Sequence, residues 1–294
     1  MATTLLVVGC NGQLGRDMMI AAREAGFEPA GVDFPEVDIT DAGSIGPAVA
    51  AARPRAVINC AAYTAVDKCE SDRGAAFAVN GPGASHCAEA SARAGAYFAH
   101  ISTDYVFDGA KKEPYVETDT PNPKSVYGQS KLEGERLVRR AGGTWAIFRI
   151  AWLYGNRGPN FVKTIRKIAA ERAVRGEALS VVNDQIGSPT YTMEVCRQVL
   201  AAVSGGHPGL FHCTAEGHCS WYDFARTICE AYRIGAEVKS CTTAEFPRPA
   251  PRPANSVLEN ARLKSLGINV MKPWREAFDE FLEEERRIPV SERT

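Results

Sequence analysis

The sequence has no Cys-x-x-Cys pair, no excess of either charge sign, no internal repeat and no apolar run long enough to cross a membrane. Each absence removes a class of function. Lys and Arg total 34 against 35 Asp and Glu, which leaves no global field to draw in nucleic acid or an acidic membrane surface, so an anionic ligand has to be held locally. The nine cysteines, an odd number scattered from Cys10 to Cys241, belong to a chain too large to need disulfide staples and read as reduced, small apolar side chains. His212, Cys213, His218 and Cys219 offer zinc-type side chains. Adjacent residues of a strand point to opposite faces, however, and the spacing fits no common zinc site, so no metal is expected. Residues 1–8 are a short apolar stretch that meets glycine at once. That is a first strand and not a secretory segment or a membrane span, and a cytoplasmic location is expected.

What is present is an alternation. Residues 4–8 read as a buried strand and residues 9–15 as a glycine-punctuated turn, after which Leu14, Met18, Ala21, Ala22 and Ala25 recur at helical spacing until Gly26. Strands at 29–32, 56–58, 97–102 and 145–150 follow, separated by helical segments at 44–52, 75–94 and 131–140. Gly81, Pro82 and Gly83 should kink or interrupt the second of these helices. Strand and helix in alternation predict an α/β fold, a doubly wound parallel sheet of the Rossmann type covered on both faces. A length of 294 residues with 45% hydrophobic composition accommodates two lobes. We expect a dinucleotide-binding domain over residues 1–152, to which later strands return, and a mainly substrate-binding lobe over residues 153–294, where the regularity loosens. Residues 246–253 are proline-rich and extended, either as a linker or as part of a site, and a charged helix lies near residues 279–287.

Gly9, Gly12 and Gly15 form G-C-N-G-Q-L-G directly after a strand and at the mouth of a helix. The first permits a tight turn, the second lets backbone approach a pyrophosphate, and the third brings helix against strand, with the helix N-terminus facing the anion. Asn11, Gln13 and Leu14 are cofactor-binding candidates with them. The G-x-x-G-x-x-G spacing is nearer to extended short-chain dehydrogenases than to the general dinucleotide fingerprint. Asp33, after the second strand, is placed to accept from an adenosine ribose and to repel a 2′-phosphate, or else is a turn residue. Asp38 and Ile39 could flank the adenine, and Arg16 could neutralise a 2′-phosphate, so NADH and NADPH both stay open.

Tyr127 and Lys131 form Y-G-Q-S-K, and four-residue spacing on a helix puts both on one face. They lie one βα unit after Ser102, Thr103 and Asp104 at the end of the fourth strand, and ligands in open α/β sheets sit outside the carboxyl ends of strands. Hydride arriving at a ketone carbon builds negative charge on oxygen, which must be stabilised and protonated. Thr103 would hold that oxygen and Tyr127 would give its proton. Lys131 would lower the phenol's pKa and reach the nicotinamide ribose.

With these segments in order, the chain resembles the dTDP-4-dehydrorhamnose reductase family of extended short-chain dehydrogenases/reductases over nearly its whole length. The further matches are N-C-A-A-Y-T-A-V-D-K-C-E from Asn59, S-T-D-Y-V-F from Ser102, N-D-Q-I-G-S-P-T from Asn183 and R-P-A-N-S from Arg252. The resemblance implies reduction of a 4-keto dTDP-sugar by NADPH or NADH, with Thr103, Tyr127 and Lys131 catalytic and Ala61, Ala62 and Tyr63 lining the cofactor. It places Thr64, Val66 and Asp104 toward the nicotinamide end or the sugar, Trp152 against the sugar, and Asn160, Arg252 and Asn255 at the nucleotide. For Trp152 the alternative is core packing. Some relatives form homodimers around Mg²⁺ held by carboxylates. The counterparts here would be Asp17 and residues 283–285, but Asp17 reads as a solvated surface residue and no Mg²⁺ is predicted. Among rival activities, 4-epimerases recycle a tightly held NAD, and the 4,6-dehydratases carry a Glu after Thr-Asp where this chain has Tyr105. A rival from another class is a binding role like that of the related methionine adenosyltransferase regulatory subunit.

Overall fold

The computed structural model describes residues 3–289; Met1 and Ala2 of the N-terminal apolar stretch and residues 290–294 of the C-terminal part lie outside the described residues. In β1 (Thr3–Val8) the side chains alternate between two cores. Leu5 and Val7 pack with Leu14, Met18, Ala21 and Ala22 of α1 (Gln13–Glu24), whereas Leu6 and Val8 pack with Ile45 and Val49 of α2 (Ile45–Ala52). A strand whose two faces are both covered needs an unbroken apolar run, which is what residues 5–8 supply.

β2 (Phe27–Val32), β3 (Ala56–Asn59), β4 (Tyr97–Thr103) and β5 (Trp145–Ile150) join β1 in one parallel sheet, in the order β2-β1-β3-β4-β5, and the strand Gly209–His212 completes it beside β5. The fold is the expected doubly wound α/β sheet. Because β2 and β3 flank β1, the chain reverses direction there and opens a crevice beyond Val8 and Asn59, the switch point at which such sheets bind ligands.

The alanine-rich stretch runs as a helix Arg73–Ala78, a π-turn Val79–Gly83 containing Pro82, and a helix Ala84–Arg93. Proline cannot donate to the ladder, and the wider turn absorbs the fault. This turn holds Asn80, whose side chain accepts from the Tyr63 N–H at 2.9 Å and donates to Ser130 Oγ at 3.0 Å, tying the segment after β3 to the helix Val126–Arg140. Ser125 starts that helix by accepting from the Gly128 N–H at 3.1 Å, which puts Tyr127 and Lys131 in its opening turns.

Beyond β5, helices Phe161–Arg175 and Trp221–Ala231 pack with a two-stranded pair, Leu179–Val182 and Val238–Cys241, apart from the main sheet. The helix Thr192–Gly205 returns to lie on α1. Phe278 and Phe281 of the helix Trp274–Arg287 bury against Tyr154 and Tyr191, each ring contributing about 2–3 kcal/mol by burial. The proline-rich residues 246–253 form no helix but are more than a linker, since buried Ala250 donates its N–H to Asp67 Oδ1 at 3.2 Å. Among the described residues no helix is long and apolar enough to cross a membrane.

Candidate active site

Gly9 adopts φ +77°, and a Cβ there would come within 2.6 Å of the Ala61 backbone nitrogen. At Gly15 a Cβ would overlap the Gly9 carbonyl oxygen. The turn therefore passes tightly over the end of β3 and starts α1 directly against itself. Gly12 begins α1 with no side-chain cap, so the first-turn N–H groups, at the positive end of the helix dipole, open toward the cleft. Gly9, Gly12, Asp33, Asp38, Ile39, Ala61 and Ala62 line one cavity of about 280 Å³, with Phe34, Val37 and Val79 beside them.

Asp33 both faces this cavity and braces the turn, its two oxygens accepting from the N–H groups of Asn11 at 2.7 Å and Phe34 at 2.8 Å. The Asp38 carboxylate is taken up by the Thr40 hydroxyl at 2.8 Å and N–H at 2.9 Å, which hold it below the usual carboxylate range. Arg16 is exposed on the first turn of α1, outside the cavity lining. The Tyr63 ring lies outside it too, its hydroxyl donating to Asp72 Oδ2 at 3.0 Å.

A second cavity, about 510 Å³, opens at the carboxyl ends of β4 and β5 and shares Gly12, Cys60 and Ala62 with the first. Thr103, Tyr127 and Lys131 all line it, together with Thr64, Val66, Asp104, Trp152, Gln13 and Leu14. The Thr103 hydroxyl donates to Asp104 Oδ1 at 2.9 Å and accepts from the Tyr105 N–H at 3.2 Å. Lys131, 2% exposed, donates from Nζ to the Ile101 carbonyl at 2.6 Å and lies 3.4 Å from His100 Nε2. Burial draws Lys131 down to about 8, opposed first by the negative charge of Glu135. Burial likewise pushes Asp104 up to about 6, opposed by the neighbouring Ser256 and Thr103 hydroxyls; Thr103 bonds Oδ1, and Oδ2 is buried without a partner among the described residues.

The Tyr127 phenol is not lowered as expected from the nearness of Lys131. Burial raises the Tyr127 phenol well above its ordinary value, and the opposing influence is the hydrogen bond with Thr103, so any lowering by Lys131 is outweighed in the free protein. The phenol is held protonated.

Trp152 takes φ +48°, a conformation costly for a bulky residue, and its indole stacks face to face on Trp221 with centroids 3.5 Å apart while lying over Gly187. It thus combines cavity wall and packing. Three residues expected at the nucleotide lie outside the large cavity. Asn160 caps the helix Phe161–Arg175, accepting from the Lys163 N–H at 3.2 Å, and Asn255 Nδ2 donates to the Lys111 carbonyl at 2.8 Å. Arg252 pairs with Asp67 at 2.9 Å and lines a smaller cavity with Tyr105, Lys124 and Ser125.

Asp17 is not a solvated surface residue. It is wholly buried, 2.6 Å from Arg157 Nη1, and accepts from Thr192 Oγ1. Glu283 pairs with Arg287, Glu284 accepts from Tyr191, and Glu285 pairs with Arg166. Among the described residues no group of His, Cys, Asp and Glu is arranged to hold a metal ion; His212 Nδ1 faces the carbonyls of Tyr115 and Glu259, both at 3.1 Å. Phe34, Cys60 and Tyr105 also line these cavities, beyond the site residues expected from the sequence. Of these, Phe34 carried a readable signal, an aromatic directly after the strand-end carboxylate, and it is 70% exposed at the cavity rim.

Two cavities joined through a glycine turn, the second walled by a Tyr and a Lys from one helix and a Thr from the adjoining strand end, are the arrangement of the extended short-chain dehydrogenase/reductase class, and this chain has that architecture. The model of the family described as RmlD substrate binding domain matches residues 3–287. The spore coat polysaccharide biosynthesis protein SpsK of Bacillus subtilis is 41% identical over 282 residues, 96% of this chain and 98% of that protein. A dTDP-4-dehydrorhamnose reductase of Burkholderia thailandensis is 39% identical over 292 residues, covering 93% of this chain and 96% of its own length. The crystal structure of dTDP-4-dehydrorhamnose reductase from Bacillus anthracis in complex with NADP superposes with a TM-score of 0.93 at 36% identity, covering 97% of this chain and all of that one. The chain belongs to the RmlD substrate-binding family.

Proposed function

We propose that this chain is an NAD(P)H-dependent oxidoreductase that reduces the 4-keto group of dTDP-4-dehydro-L-rhamnose to give dTDP-L-rhamnose. The observation that carries the reading is the meeting of Thr103, Tyr127 and Lys131 on one cavity that runs into the glycine turn through Gly12, Cys60 and Ala62. The names of its relatives point the same way.

A dinucleotide suits the residues present. The Gly9 to Gly15 turn leaves no room for side chains between backbone and β3, uncapped N–H groups await an anion, and Asp33 and Ile39 line the far end. When bound, reduced nicotinamide supplies hydride to the substrate carbonyl carbon. Thr103 holds the carbonyl oxygen in line by turning its one hydroxyl proton from Asp104 Oδ1 to that oxygen, while its own oxygen goes on accepting from the Tyr105 N–H. Tyr127, kept protonated by its surroundings, gives that oxygen a proton as charge builds there. The Lys131 ammonium then stabilises the phenolate left behind and reaches the ribose, while the Trp152 and Trp221 stack walls the sugar side against water.

Both reduced cofactors are accepted on this reading, since Asp33 favours a free ribose hydroxyl while exposed Arg16 accommodates a phosphate, and a relative was solved with NADP. The test is direct. Purified protein with dTDP-4-dehydro-L-rhamnose should consume NADPH and NADH with stoichiometric formation of dTDP-L-rhamnose; cofactor binding without turnover would favour a binding role.

A further inference from the structure

Behind the catalytic wall lies a buried ion pair that the chemistry above leaves unused. Glu135 sits one helical turn beyond Lys131 and two beyond Tyr127, with 0% of its surface exposed. Arg149 of β5, 1% exposed, forks onto both carboxylate oxygens, Nε to Oε1 at 2.8 Å and Nη2 to Oε2 at 2.7 Å. Ser102, the residue before Thr103 on β4, donates to the same Oε1 at 2.7 Å, and Arg139 closes the group at 3.2 Å. Taking two ions out of water costs about as much as their attraction returns, and apolar residues of like volume would hold the fold as well. The pair's value therefore lies in what it joins: the helix of Tyr127 and Lys131, the strand end of Thr103, and β5, which leads to Trp152.

We propose that Glu135 is a positioning residue for the reduction, fixing the Thr103 strand end against the Tyr127 helix and maintaining the positive charge of Lys131. The inference rests on the reductase reading of the site. Lys131 is faced by His100 and the Ile101 carbonyl from β4, by Cys60 beyond β3, and by Glu135 on its own helix. His100 is drawn far below its ordinary range by burial and Cys60 is pushed up to about 12 by burial, so both are neutral near pH 7. Glu135, faced in turn by Arg149, Arg139 and Ser102, is the anion that opposes the loss of the Lys131 proton.

The experiment follows NADPH affinity, by quenching of tryptophan fluorescence from pH 6 to 10, together with kcat for the keto sugar. Wild-type affinity should hold until about pH 8 and then fall, as Lys131 loses its proton. Glu135→Gln keeps the shape and removes the charge; it should move this alkaline limb down by about one pH unit and lower kcat at least tenfold. Ser102→Ala, which removes only the hydroxyl link, should lower kcat several-fold and leave the limb in place. If Glu135→Gln does not fold, the double variant Glu135→Gln/Arg149→Met removes both charges and should show the same limb shift. A limb that stays put in the charge-free variant, or that moves equally in Ser102→Ala, overturns the proposal. Because the limb is read from cofactor binding, that outcome is separate from wild-type protein failing to turn over the keto sugar, which would overturn the reductase reading itself.

Discussion

Replacing Tyr127 by Phe removes one oxygen from the cavity wall and leaves the ring. That ring meets Tyr105 edge-on at 5.5 Å and 74° and packs beside Cys69, Ala76 and Val126, none of which needs the hydroxyl. Losing the hydrogen bond with Thr103 costs about 1 kcal/mol, a few degrees in Tm for a chain of this size. Catalysis should suffer far more. Among the described residues the other candidates are worse placed: Tyr105 carries Arg252 over its ring at 5.9 Å and has its phenol pushed up by burial, and the Lys131 ammonium is engaged by the Ile101 carbonyl. Loss of the general acid should lower kcat by about 10²–10⁴, or about 3–5 kcal/mol of transition-state stabilisation, while the Kd for NADPH changes less than about threefold. The assay is the fall in nicotinamide absorbance at saturating keto sugar, with cofactor Kd by fluorescence and Tm by circular dichroism. Near wild-type turnover in Tyr127→Phe would refute the proton-donor assignment, and a large loss of Tm would show that the rate had fallen for a structural reason.

Lys131→Met should weaken NADPH binding at least tenfold and abolish the fall in affinity above pH 8, since no ammonium remains to titrate. Its pKa is depressed in the fold, so the buried charge costs stability below about pH 8, and the variant should be more stable at pH 7 by about 1–3 kcal/mol in denaturant unfolding. For Asp104 the pKa is raised, so the folded state binds the extra proton and wild-type stability falls as pH rises from about 4 to about 6. Asp104→Asn should therefore raise the unfolding free energy at pH 8 by up to about 3 kcal/mol in denaturant unfolding, with the gain vanishing toward pH 4. Arg252→Ala frees Asp67 and opens the smaller cavity away from Thr103, so it should raise the substrate KM about tenfold or more with kcat within about threefold; the opposite split would remove Arg252 from nucleotide binding.

Local chemistry made most of the scaffold readable. A glycine turn between an apolar run and a helical period, a second strand closing on Asp33, and Tyr127 and Lys131 four apart all depend on neighbours within a few residues. What stayed hidden depends on partners far along the chain. Asp17 carries every local mark of an exposed helix residue, yet Arg157 and Thr192, 140 and 175 positions away, close over it. Asn160 and Asn255 are spent on backbone groups of turns whose shape no motif declares. The strand Gly209–His212 is too short to be told from a loop until β5 offers it an edge. Nor does anything local reveal that Asp33 serves the glycine turn as well as the cavity, because the Asn11 N–H it accepts is 22 residues upstream.

The stacked indoles of Trp152 and Trp221 bear on how the protein can be watched at work. Two aromatic chromophores face to face at 3.5 Å and 7° share their excitations, so they absorb and rotate light as a pair and not as two independent rings. One member lines the cavity and the other stands behind it. A sugar that presses on Trp152 changes the overlap, and the near-ultraviolet circular dichroism of the unlabelled protein becomes an optical gauge of occupancy, readable even where no hydride is transferred.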